Sequence, residues 1–107
     1  MQGFGNIGQI MKQAQQMQEK MAKVQEELTT EEVTASVAGG MVEVTMTGKK
    51  KVTSIKLKEQ AVDKDDIEML EDLLVAAVNE ASEKADELAK EKMTNAGLPS
   101  SSLQGLM

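Results

Sequence analysis

The stretch VTASVAGGMVEVTMTGKKKVTSIKL at residues 33–57 decides the fold. Val33, Ala35 and Val37 alternate with Thr34 and Ser36, and Val42, Val44 and Met46 alternate with Glu43, Thr45 and Thr47. A period of two sends alternate side chains to opposite faces of a strand. Gly39-Gly40 suits a two-residue hairpin between these strands, and Gly48-Lys49-Lys50 supplies a second turn. Val52, Ile55 and Leu57 mark a third strand, and the step from Val52 to Ile55 breaks the alternation, which predicts a bulge near Thr53-Ser54. The segment reads as a three-stranded antiparallel meander with one apolar face.

On its N-terminal side, Ile7, Ile10, Ala14, Met17, Met21, Val24 and Leu28 recur at alternating steps of three and four residues. That is the a/d seam of a coiled coil, on a helix roughly 33 Å long at 1.5 Å per residue. The Gly-rich residues 1–6 are expected to be disordered, with Asn6 as the helix N-cap. On the C-terminal side, Asp65 is the expected N-cap of a second helix, with Glu68 at capping-box spacing. Ile67, Leu70, Leu74, Ala77, Ala81, Ala85 and Leu88 form its inner stripe, widened by Leu73 and Val78. This helix is expected to reach about Met93, with a C-cap at Asn95-Ala96-Gly97 and a stop at Pro99. The order is α-β-β-β-α, an α+β fold. Residues 1–98 are expected to form one domain and residues 99–107 a flexible C-terminal tail.

Both helices exceed the roughly 20 Å that strands of this length span, so their stripes overhang the sheet. The overhang calls for a second copy of the chain, a homodimer. Ile10, Ala14, Met17, Met21, Val24 and Leu28 are the expected dimer interface.

A chain of 107 residues fits a single domain. Phe4 is its one aromatic residue, against nine Met. Cysteine and histidine are absent, which removes disulfides, thiolate metal sites and the commonest general base and metal ligand. The longest clean apolar run, Leu73 to Val78, is too short for a bilayer. The N-terminus lacks the basic start and apolar block of a secretory signal, so a cytoplasmic protein is expected. The net charge is −6 and every basic residue is Lys. Residues 1–62 carry eight Lys against seven acids, and residues 63–107 carry four Lys against eleven acids.

Gly3-Phe4-Gly5-Asn6-Ile7-Gly8 matches G-x-G-x-x-G, but only two residues precede it, leaving no room for the strand a dinucleotide site requires. The acids from Asp63 to Glu68 fail the EF-hand pattern, because its Gly and Glu positions are occupied by Glu68 and Leu74. Helix capping accounts for them instead. With no nucleophile elbow and no phosphate-binding Gly-Lys loop, no catalytic constellation is evident and no enzyme activity is expected. Lys49-Lys50-Lys51, with Lys56 and Lys58, is the densest basic cluster. It reads either as edge-strand protection or as a phosphate-contacting patch.

MKQAQQMQEKMAKVQEEL (residues 11–28), GGMVEVTMTG (39–48) and DDIEMLEDLLVAAVNEA (65–81) occur in an order that strongly resembles the YbaB/EbfC family of bacterial nucleoid-associated proteins. The resemblance covers roughly residues 1–98. It implies an intertwined homodimer with projecting helices, nucleoid-associated binding of duplex DNA with modest sequence preference, a possible regulatory role and no cofactor. Without Arg, the residue best suited to bidentate phosphate and guanine contacts, DNA contacts are expected from Lys12, Gln16, Lys20 and Lys23 on the first helix and from Lys49, Lys50 and Lys51 at the turn. The alternative is a protein-interaction or small chaperone-like dimer, in the manner of prefoldin-like proteins, that does not bind DNA.

Overall fold

The computed structural model describes residues 2–99, with side chains from Asn6 onward. The element order is α1 (Gln2–Thr30), β1 (Glu32–Val37), β2 (Val42–Thr47), β3 (Val52–Leu57) and α2 (Ile67–Asn95), with single 3-10 turns at Ala38–Gly40 and Glu59–Ala61. The strands form an antiparallel sheet in the order β1-β2-β3. The molecule is elongated, 78 × 19 × 16 Å, with a radius of gyration of 20.0 Å. A compact domain of this length would have about 13 Å.

The expected alternation places the sheet. Val37, Ala35 and Val33 pair with Val42, Val44 and Met46, which pair in turn with Leu57, Ile55 and Val52, so all nine share one face. The register shifts between Thr45 and Met46, whose partners are Ser54 and Val52, leaving Thr53 as the bulged residue. The other face is polar, and Thr34 and Thr45 share a 2.9 Å cross-strand hydrogen bond there. Gly39-Gly40 does not form a two-residue hairpin. Val37 and Val42 are the last pair, and residues 38–41 between them turn through Ala38, Gly39 and Gly40, all at positive φ. The 3-10 bond from Met41 N–H to the Ala38 carbonyl closes that longer loop.

Small residues let α2 lie close on the sheet. Ala77, Ala81 and Ala85, at a spacing of four that keeps one face, are fully buried with Ala35, Val42, Val44, Met46 and Ala61. The inner stripe therefore runs along alanines and continues to Ala89 and Met93, while Leu88 is only half-buried. Ile67, expected in the stripe, is 61% exposed because α2 begins beyond the sheet. The cap is Asp66, not Asp65: the Met69 N–H donates to Asp66 Oδ1 at 3.2 Å. Asp63 Oδ1 accepts the Asp65 N–H instead, holding that residue in a turn ahead of the helix. At the far end Gly97 (φ 75°) closes a Schellman motif, in which Leu98 N–H bonds the Met93 carbonyl and Gly97 N–H that of Thr94. Leu98 then packs against Met93. Residues 100–107, most of the expected tail, lie outside the described residues.

Helix α1 starts at Gln2, so Asn6 lies inside it rather than capping it. The expected seam is divided. Val24 and Leu28 are buried within their own chain, together with Ala89, Met93 and Leu98, and Met21 packs beside them. Within the chain, Val24 and Leu28 are thus covered by α2, whereas Ile10 and Met17 of the same seam are exposed. The reason is that α2 outlasts the sheet and uses its last two turns against α1.

The turn after β2 meets α1 closely. Gly48 N–H donates to the Glu31 carbonyl at 2.9 Å, and a Cβ on Gly48 would stand 2.5 Å from Leu28 Cδ2 and 3.2 Å from the Leu28 carbonyl oxygen. Because Leu28 is itself buried, it has nowhere to move. Gly48→Ala is expected to destabilise the chain by about 1–3 kcal/mol, the usual cost of overpacking. An unchanged denaturant midpoint would show that this junction is loose.

Candidate nucleic-acid interface

Lys12, Gln16, Lys20 and Lys23 are all exposed on α1. At 100° per residue they fall within roughly 80° of one another around the helix, and Lys12 to Lys23 spans roughly 16 Å along it. Between residues 2 and 25 the helix carries these three Lys against one acid, Glu19. The line is set by the seam: with Ile10, Ala14 and Met17 on one side, the residues two or six positions from Ile10 point away from it.

The lower end of this line meets α2. Lys20, Lys23, Val24 and Glu27 face Lys92, Asn95 and Ala96 across an open cavity of about 400 Å³. Nothing in the local sequence marks Lys92 and Asn95 as part of this surface. Packing of the last turns of α2 against α1, a tertiary arrangement, brings them here. Lys92 is not a free cation. Its Nζ lies 3.1 Å from Glu27 Oε2 and also pairs with Glu31, so it neutralises two acids, one in the last turn of α1 and one just past its end.

Hydrogen bonding to Glu31, and then to Glu27, raises the Lys92 pKa above its ordinary value of 10.5. A raised lysine pKa stabilises the fold at every pH below the unfolded value and loses that contribution as pH rises through the folded value. Thermal melts of wild type and Lys92→Met should therefore differ by the same amount at neutral pH and at moderately alkaline pH. The difference should shrink only above the ordinary value of 10.5. A gap that closes already between neutrality and that value would show that the staple is not what separates the two proteins.

Lys49, Lys50 and Lys51 form a second, separate basic group. Lys49 and Lys51 donate backbone N–H bonds to Thr47 Oγ1, each at 3.2 Å, which fixes the turn. Lys50 takes a positive φ of 69° and pairs with Asp86 of α2 at 2.7 Å, so its charge is partly answered within the chain. The turn is anchored at Glu31, roughly 28 Å along the axis of α1 from Lys12. The two groups are thus held on one rigid body without converging on one pocket. Among the described residues no cluster of acids is arranged to hold a metal ion, and no helix is long and apolar enough to cross a membrane.

The sheet carries the other notable surface. Val52, Ile55 and Leu57 of β3 are 42%, 48% and 44% exposed, although they share the face that α2 covers over β1 and β2. Val75 of α2 is 60% exposed.

Comparison with known proteins agrees with this architecture. A solved structure of an uncharacterized protein from Helicobacter pylori has the same fold, with a TM-score of 0.66 at 21% identity, covering 86% of this chain and 94% of that one. A nucleoid-associated protein of Agathobacter rectalis is 53% identical over 90 residues, 84% of this chain and 80% of its own length. One from Acetivibrio thermocellus is 55% identical over 87 residues, 80% of this chain and 77% of its own. The model of the YbaB/EbfC DNA-binding family matches residues 3–98. With both helices and the whole sheet inside that match, the chain belongs to the YbaB/EbfC DNA-binding family.

Proposed function

We propose that the protein binds duplex DNA as a homodimer, associates with the nucleoid in the bacterial cytoplasm, and contributes there to DNA organisation and gene regulation. The observation that carries this reading is the exposed line of Lys12, Gln16, Lys20 and Lys23 on a projecting helix, in a chain matched to a DNA-binding family from residue 3 to residue 98. Lys and Gln on such a face bond phosphate oxygens, which positions a protein on DNA without reading bases. With no Arg for bidentate guanine contacts, sequence preference is slight. The acid-rich half of the chain would be turned away from the duplex.

The homodimer rests on β3. Val52, Ile55 and Leu57 extend the core face beyond the reach of α2, and a second copy supplies a matching apolar surface. Two arms per dimer then engage one duplex, and the second contact forms at high effective concentration. A mobility-shift titration on unrelated duplexes at low and at moderate salt tests the reading. Binding to every duplex, weakened steeply by salt, is expected; no shift even at low salt would refute it.

A further inference from the structure

The arm of α1 from Gln2 to Lys20, roughly 28 Å long, extends past everything else in the chain. Every residue described from Asn6 to Lys20 is exposed, including Ile7 at 55%, Ile10 at 63%, Met11 at 67% and Met17 at 45%. Helix α2 cannot cover them, because it ends at Asn95 and the turn at Ala96–Leu98 folds back onto Met93. An isolated helix of this length containing glycines is marginal in water. The arm therefore carries an apolar stripe whose burial would stabilise it.

We propose that this stripe is an interaction surface for the same stripe of another copy, the two arms pairing antiparallel through Ile7, Ile10, Ala14 and Met17. The stripe continues the line Met21, Val24 and Leu28 in the same three-four spacing, and that lower half already accepts a helix, α2, in the folded chain. The upper half repeats the same knob pattern without a cover. Antiparallel pairing sets Ile10 against Ala14 of the other arm, large against small, and Ile7 against the flexible Met17. Reversing the register end to end gives the same pairs, as a two-fold contact requires.

The flanks agree. The residues bordering the stripe are Met11, Gln13, Gln18 and Lys20, and in this register Lys20 falls opposite the uncharged residues 2–5 of the other arm, so no like charges face each other across the contact. Lys12, Gln16 and Lys23 lie roughly 140–180° around the helix from the stripe and stay free. An arm can then hold another arm with one side and a phosphate backbone with the other. Joined to the β3 contact, arm pairing links two dimers, and so two DNA segments. It goes beyond the DNA-binding reading, which stands if arm pairing fails. A contact of about three turns is weak between free molecules and is strengthened when copies share one duplex.

The natural absence of cysteine makes the test direct. Full-length Ile10→Cys and Ala14→Cys proteins are mixed without DNA, oxidised, and compared with each protein alone. Sedimentation of the wild type is followed from about 10 µM to about 1 mM, the range a short helix pair requires. Expected are a mixed disulfide in greater yield than either self-disulfide, and a species heavier than the dimer that grows with concentration. Ile10→Ser with Met17→Ser, which adds no charge to the arm, should remove that species while leaving low-salt DNA binding in place. A preferred Ala14→Cys self-link would indicate parallel arms and overturn the register proposed. No species above the dimer and no mixed link at the highest concentration would overturn arm pairing altogether. Capture of an unfolded protein by the stripe without self-association would overturn it in favour of client binding.

Discussion

Lys12→Gln, Lys20→Gln and Lys23→Gln combined are expected to weaken duplex binding at least about 100-fold at physiological salt, the loss from a single engaged arm. Each neutralised phosphate contributes roughly −0.9 to the slope of log affinity against log salt. Losing three contacts should therefore flatten the slope by roughly 2.7 for each arm engaged, and at about 0.15 M salt that is close to two decades of affinity per arm. The three side chains are exposed and pair with nothing among the described residues, so the fold should be unaffected and far-UV circular dichroism unchanged. Lys49→Gln, Lys50→Gln and Lys51→Gln should act less, because Lys50 is already engaged by Asp86. A larger loss from the turn variant than from the arm variant would move the site from α1 to the β2–β3 turn. Unaltered affinity and slope in both would sink the phosphate assignment.

Ile55→Glu is expected to convert the proposed dimer to monomers. Ile55 sits at the centre of the uncovered β3 row, between Val52 and Leu57, and is 48% exposed in the single chain. A carboxylate there costs the isolated fold little. In a two-fold interface it is buried twice without a partner, at about 3 kcal/mol for each protomer, which raises the dissociation constant roughly 10⁴-fold. Light scattering should show the 11.6 kDa chain alone with its helix content retained. An unchanged dimeric mass would place the interface elsewhere. DNA affinity should fall with the dimer, since each arm then binds singly.

Most of the secondary structure was legible in the residues because it depends on local periodicity. The alternation in residues 33–57 located three strands, and the Val52 to Ile55 step located the bulge at Thr53. The Lys line on α1 was also legible, being the complement of an apolar seam on one helix. Details that depend on competing local bonds were less so. Asp65 and Asp66 are equally good caps by composition; in the fold Asp66 Oδ1 accepts the Met69 N–H, while Asp65 sits in the preceding turn with its N–H bonded to Asp63 Oδ1. The loop at residues 38–41 holds three consecutive residues at positive φ, one of them Ala38, a conformation that glycine content alone does not reveal.

By itself the sequence determined the element order, the faces of each strand and helix, and the family. All of these are properties of neighbouring residues, fixed by periods of 2 and 3.6 and by turn chemistry. Only the tertiary structure decided which half of each stripe is consumed within the chain. Val24 and Leu28 look the same as Ile10 and Met17 in a heptad, yet the first pair is buried and the second exposed. Likewise Ile55 looks the same as Val44 in an alternating strand, yet α2 covers one and not the other. The difference lies in where α2 begins, crosses and ends relative to the sheet, a matter of lengths and packing distances between elements remote in sequence. Its alanine ridge sets the close approach, and the turn at Gly97 sets the limit.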